Sequence, residues 1–388
     1  MSRPRSAGSI YYEEGRDRWV AVVELGRDEN GKRRRRRLTG STRRDVEQRL
    51  KEETAKRDSG LNIAGGQTKL SDWLDKWVND ILPAGQKQRS TNTIDNHQLL
   101  VRKHLKPALG HLRLDELTTE DIEDLLRVKA EAGMAKGTLV KLRSTLNLVL
   151  TQAERRRYVI TNVAQFAEIP PARTSTRRSL TEDQAVALLD AAHGDPIEAL
   201  IVTGLMLGLR PGELLGLTWA DVDFDAEVLH VRRALIDEYI TADDGRRTRS
   251  FRLGGLKTQK SRRSLNMPQR VTEVLHQHQA DQRRIRMASK TWGDMDLVFA
   301  TQNGKPIDKG NLRRSLRRLC DNAGIGKLVT YELRHSAASL LSAAGVPLEQ
   351  IADVLGHSGT RMVQTVYRHP VTSTVSAAAA PMGEMFGS

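Results

Sequence analysis

The spacing of apolar residues changes along the chain, and each change predicts a different kind of element. Near the start, Trp19, Ala21, Val23 and Leu25 recur at every second position, the period of a strand with one buried face. Asn30-Gly31 follows, a pair that accepts positive φ and suits a hairpin turn, and Lys32 to Leu38 is expected to return as the paired strand. Thr42 is placed to cap a helix carrying Val46 and Leu50. Residues 9–58 thus predict a small β-β-β-α module, and Gly60 to Gly66 reads as a linker.

From Leu70 the period becomes helical. Leu70, Trp73, Leu74, Trp77, Val78 and Ile81 make one apolar face, Thr91 to Leu105 and Thr119 to Lys129 two more helices, and Leu139, Leu142, Leu146, Val149 and Leu150 mark a fourth. Pro83, the stretch Pro107-Ala108-Leu109-Gly110 and Gly133 predict the intervening loops, and the two tryptophans read as core rather than as platforms for bases. Pro170-Pro171 stiffens a second boundary. Beyond Leu180, helices mix with strand-like segments inside Glu227 to Arg233 and Phe251 to Met267, and Thr181 with Gln184 resembles a capping box. The expected fold is multidomain and mainly α: a β-β-β-α module over 1–60, a four-helix domain over 61–168, a linker over 169–179, and a mixed α+β domain with a C-terminal tail over 180–388.

Charge adds a partner to this picture. The 388 residues carry a formal net charge of +14, which points to a polyanion. Residues 1–60 hold 17 Lys and Arg against 11 Asp and Glu. Arg33, Arg34, Arg35, Arg36 and Arg37 sit on the predicted returning strand, where contact with phosphates or a groove is a better reading than a solvated tail. The single cysteine, Cys320, rules out an internal disulfide. No stretch approaches a membrane span and no apolar signal core opens the chain, so the expectation is a soluble, cytoplasmic protein with no membrane partner. The ten histidines show no paired spacing backed by a third ligand, and no phosphate-binding glycine loop is present. Neither metal nor cofactor is expected, so an enzyme here would work with side chains alone.

Four stretches carry candidate chemistry. In Thr203 to Leu217 an apolar helix ends at Gly208 and Pro211 starts the next, which holds Arg210 at a junction with Glu213 in the following first turn. A surface Arg–Glu pair is the plain alternative, disfavoured by the apolar flanks. Leu256 to Leu265 is a polar turn carrying Lys257, and alone it is no more than a basic hairpin. In Thr330 to Leu341, Tyr331 and Arg334 lie three apart on one side of a helix start, above a stripe of Leu333, Ala337, Leu340, Leu341 and Ala344. Last, Leu348, Ile351, Ala352 and Leu355 form a stripe ended by Gly356, after which His357 leads over ten residues to Tyr367.

Arg210 with Glu213, Lys257 in its turn, Tyr331 with Arg334, Leu355-Gly356-His357 and the late Tyr367 follow the order and spacing of the tyrosine recombinase family, and the chain resembles a phage-type integrase over essentially its full length. The resemblance implies that the first module binds arm-type DNA sites, that the helical domain is a core-binding domain, and that the last domain is catalytic. It implies double-stranded DNA as substrate, a homotetramer on DNA and a Holliday junction intermediate, and it admits an accessory excision or DNA-bending factor. Tyr367 would be the nucleophile, forming a 3′-phosphotyrosyl link. Arg210, Arg334 and His357 would contact the phosphate, and Lys257 would protonate the leaving 5′ hydroxyl. The sequence departs from the family at Tyr331, where histidine is usual: a phenol still donates to a phosphate oxygen but shuttles protons poorly at neutral pH. Two other readings stand beside this one: a type IB topoisomerase with the same chemistry, and an inactive DNA-binding regulator of integrase descent.

Overall fold

The structure, a computed structural model, describes residues 9–27, 33–58, 68–85, 90–174, 178–241, 246–256 and 259–356. The chain divides into two compact units, Met1–Ser175 and Thr176–Ser388.

In the first unit, β1 (Ser9–Glu13), β2 (Arg18–Arg27) and β3 (Arg33–Gly40) form an antiparallel sheet in the order β1-β2-β3, followed by helix α1 (Arg43–Asp58). Ala21 and Val23 are buried as the alternation requires, but Val20 on the other face is equally buried, opposite Tyr11 across the strand pair. Alternation also splits the arginine row. Arg36 lies opposite Val23 and pairs with Glu53 of α1 at 2.8 Å, whereas Arg37 lies on the reverse face with Glu13 at 3.0 Å. Arg35 is exposed; Asn30-Gly31 and the side chains of Arg33 and Arg34 lie outside the described residues.

The helices of residues 68–155 are α2 (Leu70–Lys76), α3 (Thr91–Leu100), α4 (Lys106–Leu109), α5 (Thr119–Glu131) and α6 (Lys136–Arg155). The predicted stripe is buried from Leu70 to Val78, and its last turns, Trp77–Ile81, wind as a π-helix. Both tryptophans are core, and Trp73 Nε1 donates to the Val149 carbonyl at 3.2 Å. One expected loop is corrected. Val101–Leu105 continues α3 as a π-helix straight into α4, so Pro107 stands inside a helix. An interior proline forgoes one backbone hydrogen bond, and here the wider π turn comes directly before it, so the run passes through Pro107 and the chain turns only at Gly110.

The second unit opens with α7 (Glu182–Ala191), whose Thr181–Gln184 capping box is present as read. α8 (Glu198–Leu207) is buried on nearly all sides and forms the centre of the core, with α9 (Pro211–Leu215) after it. A three-stranded antiparallel sheet of β4 (Val222–Asp223), β5 (Val228–Val231) and β8 (Arg263–Asn266) carries an inserted hairpin of β6 (Arg233–Thr241) and β7 (Arg247–Gly255) between its last two strands. The length of that hairpin is not visible in the apolar pattern, because each face mixes apolar and charged residues. Cross-strand ion pairs hold it instead: Arg249 with Asp237 at 2.7 Å and Arg252 with Glu238 at 2.9 Å. Helices α10 (Gln269–Ala288), α11 (Lys309–Asn322), α12 (Thr330–Ala343) and α13 (Leu348–Leu355) follow among the described residues. Among the described residues no helix is long and apolar enough to cross a membrane, and no group of His, Cys, Asp and Glu is placed to hold a metal ion.

Candidate active site

Helix α8 stops because Gly208 adopts the left-handed φ of 62°. That residue has no room for a side chain, since a Cβ there would lie 2.7 Å from Leu355 Cδ2. Two residues later Arg210 occupies the N-cap of α9 in extended conformation, ahead of Pro211. Glu213, in the first turn, folds back on it: one carboxylate oxygen accepts the Arg210 backbone N–H at 3.0 Å and the other accepts Nη1 at 2.6 Å. The pair is therefore no loose surface contact, for the Glu213 side chain is 2% exposed and that of Arg210 is 32% exposed.

Arg334, in the second turn of α12, is brought to the same place by the buried stripe beneath it. Its Nη1 donates to the Gly208 carbonyl at 2.9 Å and its Nη2 to the Leu355 carbonyl at 2.5 Å. A third arginine joins them that the sequence reading did not single out. Arg263 Nη2 donates to Glu213 at 3.0 Å, Nη1 to the Ser261 carbonyl at 3.1 Å and Nε to the Val354 carbonyl at 2.6 Å, with its side chain 7% exposed. Its signal was positional: Ser261, Leu265 and Met267 are buried at alternate positions of the β8 segment, and Arg263 falls in phase with them.

The common anchor is the C-terminus of α13. Its final carbonyls have no helical partner, and three arginines from three separate motifs take three consecutive ones: Arg263 on Val354, Arg334 on Leu355 and Arg210 on Gly356, the last at 3.0 Å. Gly356, with φ of 63°, ends the helix as expected. The residue that follows is His357, so the arginines fix the point from which that segment departs.

Three guanidiniums share one carboxylate. Burial pushes the Glu213 carboxyl up, but the charge of Arg263 and the hydrogen bonds from both arginines outweigh it and hold the group below the ordinary glutamate value. Burial lowers Arg263, against the pull of Glu213. Burial likewise, helped by the charge of Arg210, pushes Arg334 down to about 10, which leaves it cationic through the neutral range. The cluster thus keeps an excess of two positive charges in a largely desolvated setting, an arrangement that suits a bound anion.

Tyr331 begins the same helix and is half-buried, its ring centroid 5.0 Å from that of His335. His335 itself is buried behind it. Lys257, His357 and Tyr367 lie outside the described residues.

Comparison with known proteins bears on this unit most directly. A model described as the phage integrase family matches residues 178–373. The integrase of Streptomyces ambofaciens is 37% identical, with 99% of this chain and 97% of its own length aligned. A tyrosine recombinase XerC-like protein of Caldanaerobacter subterraneus subsp. tengcongensis is 25% identical over 97% of this chain and 98% of its own. Among solved structures, the Tn1549 transposon integrase in complex with a circular intermediate DNA superposes with a TM-score of 0.66 at 21% identity, covering 82% of this chain and 99% of that one. A lambda integrase dimer bound to a COC′ core site gives 0.58 at 18% identity, over 96% of this chain and 98% of its own. At such identities the two structures speak for the fold alone.

Proposed function

The chain belongs to the phage integrase family and is a site-specific tyrosine recombinase, and on that premise we propose that Tyr367 attacks a DNA phosphate presented to Arg210 and Arg334. The phenolic oxygen forms a bond to phosphorus as the bond to the 5′ oxygen breaks, giving a 3′-phosphotyrosyl link and a free 5′ hydroxyl. Lys257 delivers the proton that the departing oxygen needs. The covalent link conserves the energy of the broken bond, so the 5′ hydroxyl of a partner duplex can attack it, release Tyr367 and exchange the strand without a nucleotide cofactor.

Charge gathers on the nonbridging oxygens in the transition state. Guanidinium forks suit it because they bind bidentately and stay charged. Glu213 orients Arg210 rather than touching the phosphate, His357 adds a donor, and Tyr331 donates from the position where histidine is usual. The observation that carries this reading is the convergence of Arg210, Arg263 and Arg334 on the carbonyls of residues 354–356, next to His357.

The helical domain and the last domain would grip the core site in double-stranded DNA, and the N-terminal module, with its arginine strand, the arm sites. The lambda integrase has been solved as a tetramer bound to a Holliday junction, and the same assembly is proposed for this chain in the integration and excision of a mobile element. An accessory factor would set direction.

The test is a nicked suicide duplex built on a core site that the protein itself selects from random DNA. Active protein becomes trapped as a covalent complex, and Tyr367→Phe is not; trapping of Tyr367→Phe would place the nucleophile elsewhere. A supercoil relaxation assay run beside a two-site recombination assay separates recombination from topoisomerase chemistry.

A further inference from the structure

We propose that the outer face of the β5–β8 strand pair is a second phosphate seat, formed by His230, Arg232, Arg262 and Ser264, for a phosphodiester of the strand that passes the active site. The proposal rests on the reading of the chain as a DNA strand-transfer enzyme and assigns residues to which that reading gives no role. Strand alternation creates the seat. Leu229, Val231 and Leu265 point into the core, and Arg263 turns the same way to reach Glu213. The intervening positions therefore face outward: His230 lies opposite Ser264 in the register, and Arg232 and Arg262 are the exposed residues that flank them.

These side chains border a concavity of about 660 Å³, and among the described residues no carboxylate lines it. The two carboxylates that its arginines reach are both buried and already engaged: Asp221 by Arg233 at 3.3 Å, with Arg232 further off at 3.9 Å, and Glu213 by Arg263 at 3.0 Å. His230 Nδ1 and Ser264 Oγ are hydrogen-bonded at 2.8 Å, so both are held in place beside the two guanidiniums. Two forked cations, an imidazole and a hydroxyl around a basin with Val231 as its one apolar lining residue match a phosphodiester better than a neutral or hydrophobic ligand. The basin adjoins the active site through one side chain. Arg263 lines it and also holds Glu213, which holds Arg210. On this proposal, a strand whose scissile phosphate rests on Arg210 would lay a neighbouring phosphate on the seat.

The experiment uses the full-length protein, the Arg232→Gln/Arg262→Gln double variant and the selected core-site duplex. Arg233 remains on Asp221 in the variant, so the fold is not asked to bury a lone carboxylate. Loss of one phosphate contact should reduce the slope of log affinity against log salt by about 0.9. A set of duplexes with single neutral methylphosphonate linkages then locates the contact: one linkage near the cleaved position should weaken the wild type and leave the variant unchanged. An unaltered salt slope overturns the seat, as does a methylphosphonate profile identical in both proteins. Covalent trapping at saturating DNA should occur in both. If the wild type itself fails to trap, the strand-transfer reading falls and the seat with it; if both trap but the slope does not move, the seat alone falls.

Discussion

Replacing Glu213 by glutamine keeps the shape of the site and removes the carboxylate that its arginines bond. In the wild type that group accepts from the Arg210 backbone at 3.0 Å, from Arg210 Nη1 at 2.6 Å and from Arg263 Nη2 at 3.0 Å. Glu213→Gln leaves three guanidiniums together, of which Arg263 and Arg334 are almost fully buried. Breaking a buried ion pair from one side costs about 3–5 kcal/mol, because the surviving charge is left uncompensated. For a domain of 150–250 residues each kcal/mol moves Tm by roughly 2–4 °C, so a fall of roughly 6–20 °C is expected. Thermal unfolding followed by circular dichroism reads it. A charge origin makes a second demand: sulfate should stabilise the variant more than the wild type at matched ionic strength, by supplying counter-charge that the carboxylate no longer gives. A fall of less than about 2 °C, or an equal response to sulfate in both proteins, would refute the account of Glu213 as the counter-charge of the cluster.

Glu213 is held below its ordinary value in the folded chain, so its stabilisation is complete above that value and is lost as pH falls through the folded one; the gap in Tm between wild type and Glu213→Gln should therefore close on acidification below about pH 4.5. Gly208→Ala places a side chain on a left-handed residue, which costs about 1–2 kcal/mol, and drives it into Leu355, whose carbonyl holds Arg334; trapping on the suicide duplex should slow more than DNA affinity falls. Tyr331→Phe removes one phosphate donor and should slow trapping roughly 10²-fold, while Tyr331→His retains it and adds a dependence on pH near 6.5. Deleting residues 1–60 should spare cleavage of core-site DNA and weaken complete recombination, and loss of all cleavage would contradict a separate arm-binding role for that module.

Much of the second unit could be read from the chain because its local signals agree with its tertiary structure. Gly208 and Pro211 punctuate the helices on either side of Arg210, the α13 stripe buries at Ile351, Ala352 and Leu355, and Gly356 ends that helix where it should; the α12 stripe buries only at Leu333 and Ala337, with Leu340 and Leu341 half-buried and Ala344 exposed. Local rules failed where the decisive partner lies far away in sequence. Arg263 reads as one of several cations in a basic turn until Glu213 and Val354, 50 and 91 residues distant, are seen around it. The β6–β7 hairpin is fixed by Asp237, Glu238, Arg249 and Arg252, and no apolar period reports ion pairs. In the arginine strand the charge run was plain, but whether a given arginine turns toward a helix depends on register, and register set Arg36 against Glu53.

The depth of the cluster also bears on how a phosphate reaches it. Arg210 is the open edge, and Arg334, at 1% exposure, lies buried with its guanidinium on two backbone carbonyls. Carbonyl dipoles hold a guanidinium in a defined orientation without neutralising it, so the excess charge of the site persists until an anion arrives. A phosphodiester carries a full negative charge shared over its two nonbridging oxygens, and charge-assisted bonds to them are roughly twice as strong as neutral ones. On the reading proposed above, an incoming phosphate would meet Arg210 first, as the more exposed of the two, and could then draw Arg334 from the Leu355 carbonyl. The cost of exposing that carbonyl falls at the end of α13, beside His357.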